Sequence, residues 1–218
     1  EARRRELLRR AIADEGLPTA PARPYAPAGP RYPAPLSSAQ RRMWFLHRLD
    51  PADPAYHLTV GVRLTGDLDP DALRTAFETA ARRHEILRTV YRQEPGDPPL
   101  QELAPDGTAI LFTRLAGEPA EAAVREWANA PFDLTRDVPL RLMLARTASR
   151  EHLLFLTIHH IACDDLSWEI LLREVSRAHR GEGAGPAAQY ADHARWEAGQ
   201  AARTEESRAY WRRRLAGV

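Results

Sequence analysis

A single cysteine, Cys163, stands in 218 residues, so no intrachain disulfide can form, and a reducing, cytoplasmic compartment is expected. Its place between His160 and Asp164 admits a nucleophile, but a small buried filler is the expected role. Long apolar runs are absent too. Nothing approaches the ~20 residues that a membrane-spanning helix needs, and the basic start EARRRELLRR lacks the apolar stretch of a signal peptide. Nor does charge of one sign accumulate. A net charge of +1, with basic residues interleaved among acids, gives no general attraction to nucleic acid or an anionic membrane. No internal repeat is found. The first residue is not methionine, and a piece of a longer polypeptide is expected. What is there, 44% hydrophobic and 28% charged residues, suits a globular domain with a real core.

Residues 1–17 read as a short helix, with Leu7, Leu8 and Ile12 on one stripe and Gly16 as its stop. Residues 18–35 read as a semi-rigid tether in preference to a ligand for a proline-binding module. Proline falls at every third position from Pro18 to Pro33, the period of a polyproline II helix, which would extend roughly 50 Å at ~3.1 Å per residue. Beyond it, Ser37 or Ser38 caps a helix holding Gln40, Trp44, Phe45 and Leu46. Tyr56 to Leu64 alternates as a half-buried strand. Asp69 to His84 is an amphipathic helix. Leu87 to Tyr91, Leu100 to Leu103 and Ile110 to Thr113 read as extended, and Pro119 to Ala130 as helix. Leu140 to Arg146 and His152 to His160 read as neighbouring strands joined by a polar turn. Helices follow over Leu166 to His179 and Tyr190 to Leu215. Strands and helices interleave as in α/β or α+β proteins.

The stretch LLFLTIHHIACDDLSW, Leu153 to Trp168, concentrates the chemistry. An apolar strand delivers His159 and His160, and Asp164 follows. Histidine titrates near neutral pH and suits a general base. If extended structure persists, the two imidazoles face opposite ways, His160 with Leu154, Leu156 and Ile158, and His159 with Leu153, Phe155 and Thr157. Such a pair chelates metal poorly, and no metal site is expected. Ser167 lacks the surroundings of a nucleophile elbow and suits the first turn of a helix. Asp164 has two readings: it orients the imidazole as a triad carboxylate does, or it forms a buried ion pair with Arg83 or Arg88. The ion pair is preferred, because a carboxylate four residues on lies past the turn rather than beside the ring.

These residues carry a resemblance. HHIACDD resembles the His-His-x-x-x-Asp-Gly signature of nonribosomal peptide synthetase condensation domains. LSSAQRRMWFL (36–46), RHEILRTVY (83–91), PFDLTRDVPLR (131–141), and YADHARW (190–196) followed by YWRRRLAG are similar to further motifs of that family, in the right order. The resemblance implies an α/β two-layer lobe of the chloramphenicol acetyltransferase-like fold, a mixed sheet with helices packed on it. Residues 36–180 would be the N-terminal, donor-side lobe, and 181–218 a linker and helix leading toward a C-terminal lobe. It further implies amide formation between two thioesters held on upstream and downstream peptidyl carrier proteins. Phosphopantetheine arms deliver both, and no cofactor is bound directly. His160 would be the catalytic histidine, as proton acceptor or positioner, with His159 and Asp164 holding it.

Two departures stand out. The motifs of the second lobe are missing, so this fragment alone is expected to condense nothing. And Asp165 stands where the family has glycine. Aspartate there can cap the helix starting at Leu166, or mark a specialised subtype such as epimerisation or elimination. A non-catalytic domain that recruits carrier proteins is the alternative from another class.

Overall fold

The computed structural model describes residues 31–105, 110–183, 185 and 187–217, the side chains of 201–204 aside. The helix expected over 1–17, and the tether as far as Pro30, lie outside these residues. Among the described residues seven strands are formed: β1 (Ala34–Pro35), β2 (His57–Thr65), β3 (Thr89–Arg92), β4 (Leu100–Leu103), β5 (Leu111–Ala116), β6 (Leu140–Ala148) and β7 (Glu151–His159). Among the same residues six α-helices accompany them: α1 (Ser38–Leu49), α2 (Pro70–Arg83), α3 (Glu121–Asn129), α4 (Asp165–His179), α5 (Tyr190–Ala198) and α6 (Ala201–Arg214).

The main sheet runs β2-β7-β6-β5. Its first three strands are antiparallel, whereas β5 lies parallel to β6. A parallel neighbour needs a crossover, and α3 lies between the two in sequence. Alternation along β2, β6 and β7 separates two faces. On one, Leu140, Leu142, Leu144, Leu154, Leu156 and Ile158 pack with Leu73, Phe77 and Ala80 of α2 and Leu171 and Val175 of α4. That is the principal core. On the other face Phe155 lies opposite Gly61, where an added Cβ would come within 3.2 Å of the ring.

A second sheet, β1-β4-β3, frames a smaller core of Leu36, Trp44, Tyr91, Phe132, Leu134 and Ile161. Residues at the expected end of the tether are fastened into this fold. Ala34 and Pro35 pair with β4, and the Arg31 guanidinium bridges Glu85 at 3.0 Å and Asp192 at 3.1 Å. The strand expected from Leu87 begins only at Thr89, because Glu85–Arg88 closes into a 3₁₀ turn after α2. The single helix expected over Tyr190 to Leu215 is two, α5 and α6, broken at Gly199–Gln200. Among the described residues no helix is long and apolar enough to cross a membrane.

Candidate active site

Strand β7 ends at His159, and a tight turn follows in which Ala162 N donates to His159 O at 3.0 Å. His160 therefore leaves the sheet and does not share the inward face of Leu154, Leu156 and Ile158. It is exposed, while His159 is buried. The two imidazoles do meet different surroundings, as expected, but the turn rather than the pleat separates them.

His160 is held at both ends. Its backbone N–H donates to Tyr56 O at 2.8 Å, and its Nδ1 lies 2.6 Å from Cys163 O. A carbonyl only accepts, so Nδ1 carries the proton and the neutral ring presents a lone pair at Nε2. The ring lines a cleft of about 280 Å³ shared with Gln40, Met43, Ile86, Ser167 and Tyr190. A histidine so placed can take a proton at Nε2.

Helix α1 supplies one cleft wall, and its start is a capping box. Gln40 N donates to Ser37 Oγ at 3.1 Å, while Ser37 N donates to Gln40 Oε1 at 3.0 Å. Gln40 also pairs with Gln101, and Ser37 Oγ meets the Tyr190 hydroxyl at 2.9 Å. Helix α5 closes the other side, tied down by Asp192 to Arg31 and by Glu197, which accepts from Ser38 N at 2.7 Å. Sequence reasoning marked both segments as family motifs but did not assign Gln40 or Tyr190 to the cleft. No local pattern signals it, because the Ser37–Tyr190 contact spans 153 residues.

His159 sits among rings. His47, His57 and Phe132 lie 5.6, 5.9 and 6.2 Å from it, centre to centre. Its Nδ1 accepts from Ile161 N at 3.1 Å. Burial, reinforced by His47, His57 and His160, pushes its pKa down to about 3. Burial lowers His47 and His57 as well. The charge in this quarter belongs to Arg141, which donates to Ala128 O at 2.8 Å and lies over the Phe132 ring at 4.3 Å. Burial brings Arg141 down only to about 10, so it stays a cation beside neutral histidines.

The ion pair expected between Asp164 and Arg83 or Arg88 is not formed. Arg83 Nε lies 2.8 Å from Glu174 Oε2, ten residues along α4 from Asp164, about 15 Å at helical rise. Arg88 Nε donates to Ala81 O at 3.1 Å, satisfying the end of α2. Asp164 is instead the exposed N-cap of α4. Its Oδ1 accepts from Ser167 N at 2.9 Å and from Ser167 Oγ at 2.5 Å. The Ser167 hydrogen bond holds its carboxyl below the usual range. Asp165, expected as the cap, is the first helical residue, and no non-glycine residue among those described has positive φ. Burial pushes the Cys163 thiol up to about 11, so it is a neutral wall and not a nucleophile.

A profile of the condensation domain matches residues 31–218. Phosphinothricin tripeptide synthetase PhsC of Streptomyces viridochromogenes is 37% identical over 231 residues, covering 96% of this chain. Chondramide synthase cmdD of Chondromyces crocatus is 36% identical over 201 residues, covering 84%. The chain spans 21% and 5% of those relatives' own lengths. Among solved structures, the X-domain in its complex with OxyB from teicoplanin biosynthesis superposes with a TM-score of 0.77 at 33% identity, over 88% of this chain and 45% of that one. The starter condensation domain of rhizomide synthetase RzmA gives 0.71 at 21% identity, over 84% and 48%, a likeness of fold. The chain belongs to the condensation-domain family of nonribosomal peptide synthetases, and its mixed sheet with packed helices is the α/β lobe of that fold.

Proposed function

We propose that this chain is the donor-side N-terminal lobe of a condensation domain that forms amide bonds between carrier-tethered thioesters. The observation that carries the reading is the exposed His160 with its Nδ1 hydrogen anchored on Cys163 O and Nε2 left as a base. The α-amine of the downstream aminoacyl group attacks the upstream thioester carbonyl. The C–N bond forms, the C–S bond breaks, Nε2 takes the amine's proton, and that proton leaves with the pantetheine thiolate. Upstream and downstream carrier proteins present the two phosphopantetheine arms, and a second lobe completes the cleft. Positioning supplies much of the rate in such reactions, so the lobe by itself is inactive.

The test is amide formation from two loaded carriers by the parent protein with both lobes. His160→Ala should slow it by about 10²–10⁴-fold, the range of general base catalysis. Product at the unaltered rate would remove His160 from the chemistry. One observation favours a second reading, a platform that recruits a partner protein: the likeness to the X-domain solved with OxyB exceeds, in identity and TM-score, that to the starter condensation domain. Carriers bound without any amide product by the parent protein would select it.

A further inference from the structure

A second cavity adjoins the cleft. It measures about 270 Å³ and lies where the principal core reaches the turn after β7, with Leu87, Ile158 and Leu171 of that core in its wall and Ile170 at its rim. Ile86, Ala162, Cys163 and Ser167 line both spaces, so the cavity opens beside His160. Pockets for drug-sized molecules run to ~300–1,000 Å³, and this one, just below that range, has room for one large side chain. Its floor is apolar core and its rim is open, so a guest entering beside His160 could bury apolar surface there.

The walls say what kind. The Cys163 thiol is neutral, and burial lowers the pKa of His84, which lines the cavity as a neutral imidazole. His84 Nε2 is buried with no hydrogen-bond partner among the described residues. The Ser167 hydroxyl is spent on Asp164. No ionised group belongs to this lining, so a charged guest would lose its hydration without compensation.

We propose that this cavity receives the aliphatic or aromatic side chain of a tethered aminoacyl substrate while its reacting atoms stay at His160, with His84 offering one polar contact. This assignment rests on the amide-forming reading above. The side chain could arrive on the donor or on the acceptor, and two series of probes separate them. N-acetyl-leucyl and N-acetyl-alanyl pantetheine amides stand for the donor; leucyl and alanyl pantetheine amides with a free amine stand for the acceptor. Calorimetry on the parent protein should show a leucyl-over-alanyl preference of about 10-fold or more in one series, the scale of added methylenes in a hydrophobic pocket. Ile170→Trp and Ala188→Leu each narrow the cavity from exposed rim positions, away from the packed core. Either should bring that preference close to 1. Equal affinities in both series, or a preference that survives both substitutions, would overturn the pocket. Because the probes form no amide, a protein that keeps the preference but makes no product would sink the catalytic reading and leave the pocket standing.

Discussion

Adjacent residues at the end of β7 live in opposite worlds. His159 is 2% exposed, ringed by His47, His57 and Phe132 beside the Arg141 cation, whereas His160 is exposed on a cleft with one nitrogen anchored and one open. The first is a packing unit that must stay neutral. The second opens on the cleft. The difference teaches that a histidine pair need not share surroundings: one turn of backbone after the strand leaves one ring packed and the other open to a cleft.

The largest test of that contrast is to truncate each ring in turn. His159→Ala removes a buried ring and leaves Ile161 N without its acceptor, which should cost about 3 kcal/mol in urea unfolding. His160→Ala gives up the hydrogen bond to Cys163 O and should cost about 1 kcal/mol or less, while slowing amide formation. Equal losses of stability would erase the distinction between the rings.

Acid should probe the same cluster. His159 has a folded pKa near 3 against an ordinary 6.5, so its contribution to stability is full above about pH 6.5. As pH falls toward 3 the unfolded chain gains a proton that the folded chain refuses, and stability declines across that window. His47 and His57 act with the same sign. His159→Phe should flatten the decline measured by urea unfolding at pH 7, 5.5 and 4. An unchanged slope would mean that this ring does not set it.

What could be seen in the sequence was local. Leucine alternation in β6 and β7, the apolar stripe of α2 and the Ser37 cap are short-range patterns, and the structure has them within a few residues. Pairings across the chain were not legible. His57 meets the His159 cluster because β2 pairs with β7 in a register that sets His57 against His159, a contact spanning about half the chain. Arg83 takes Glu174 because α2 packs along α4; its place at the end of the long helix had suggested Asp164 as its partner. The family motifs named the right segments around the cleft. They could not say that Ser37 and Tyr190 touch, since that depends on how α1 and α5 dock.

Asp164 gives a smaller effect that decides between two physical accounts. A buried ion pair broken on one side costs about 3–5 kcal/mol, whereas an N-cap lost to alanine costs about 1 kcal/mol. With Asp164 exposed and bonded only to Ser167 and its own turn, Asp164→Ala should fall at the cap value, and Asp164→Asn should recover most of it. A loss of several kcal/mol would place an unseen cation beside it.

Asp165 should give the smallest effect, and it returns to His160. Its backbone is in the ordinary helical region, so glycine is not demanded there by geometry. Asp165→Gly removes an acid from the first turn of α4, worth about 0.3–1 kcal/mol through the helix dipole, and adds a small loss of helix propensity. Stability should therefore fall by about 1 kcal/mol or less. In the parent protein the product and the pH–rate profile should stay as they were, because an exposed carboxylate is screened by solvent. The informative failure is a shift of the acid limb to lower pH on removing the carboxylate. That would show Asp165 holding a proton on His160, and the second aspartate would then belong to the chemistry of the exposed ring rather than to the start of a helix.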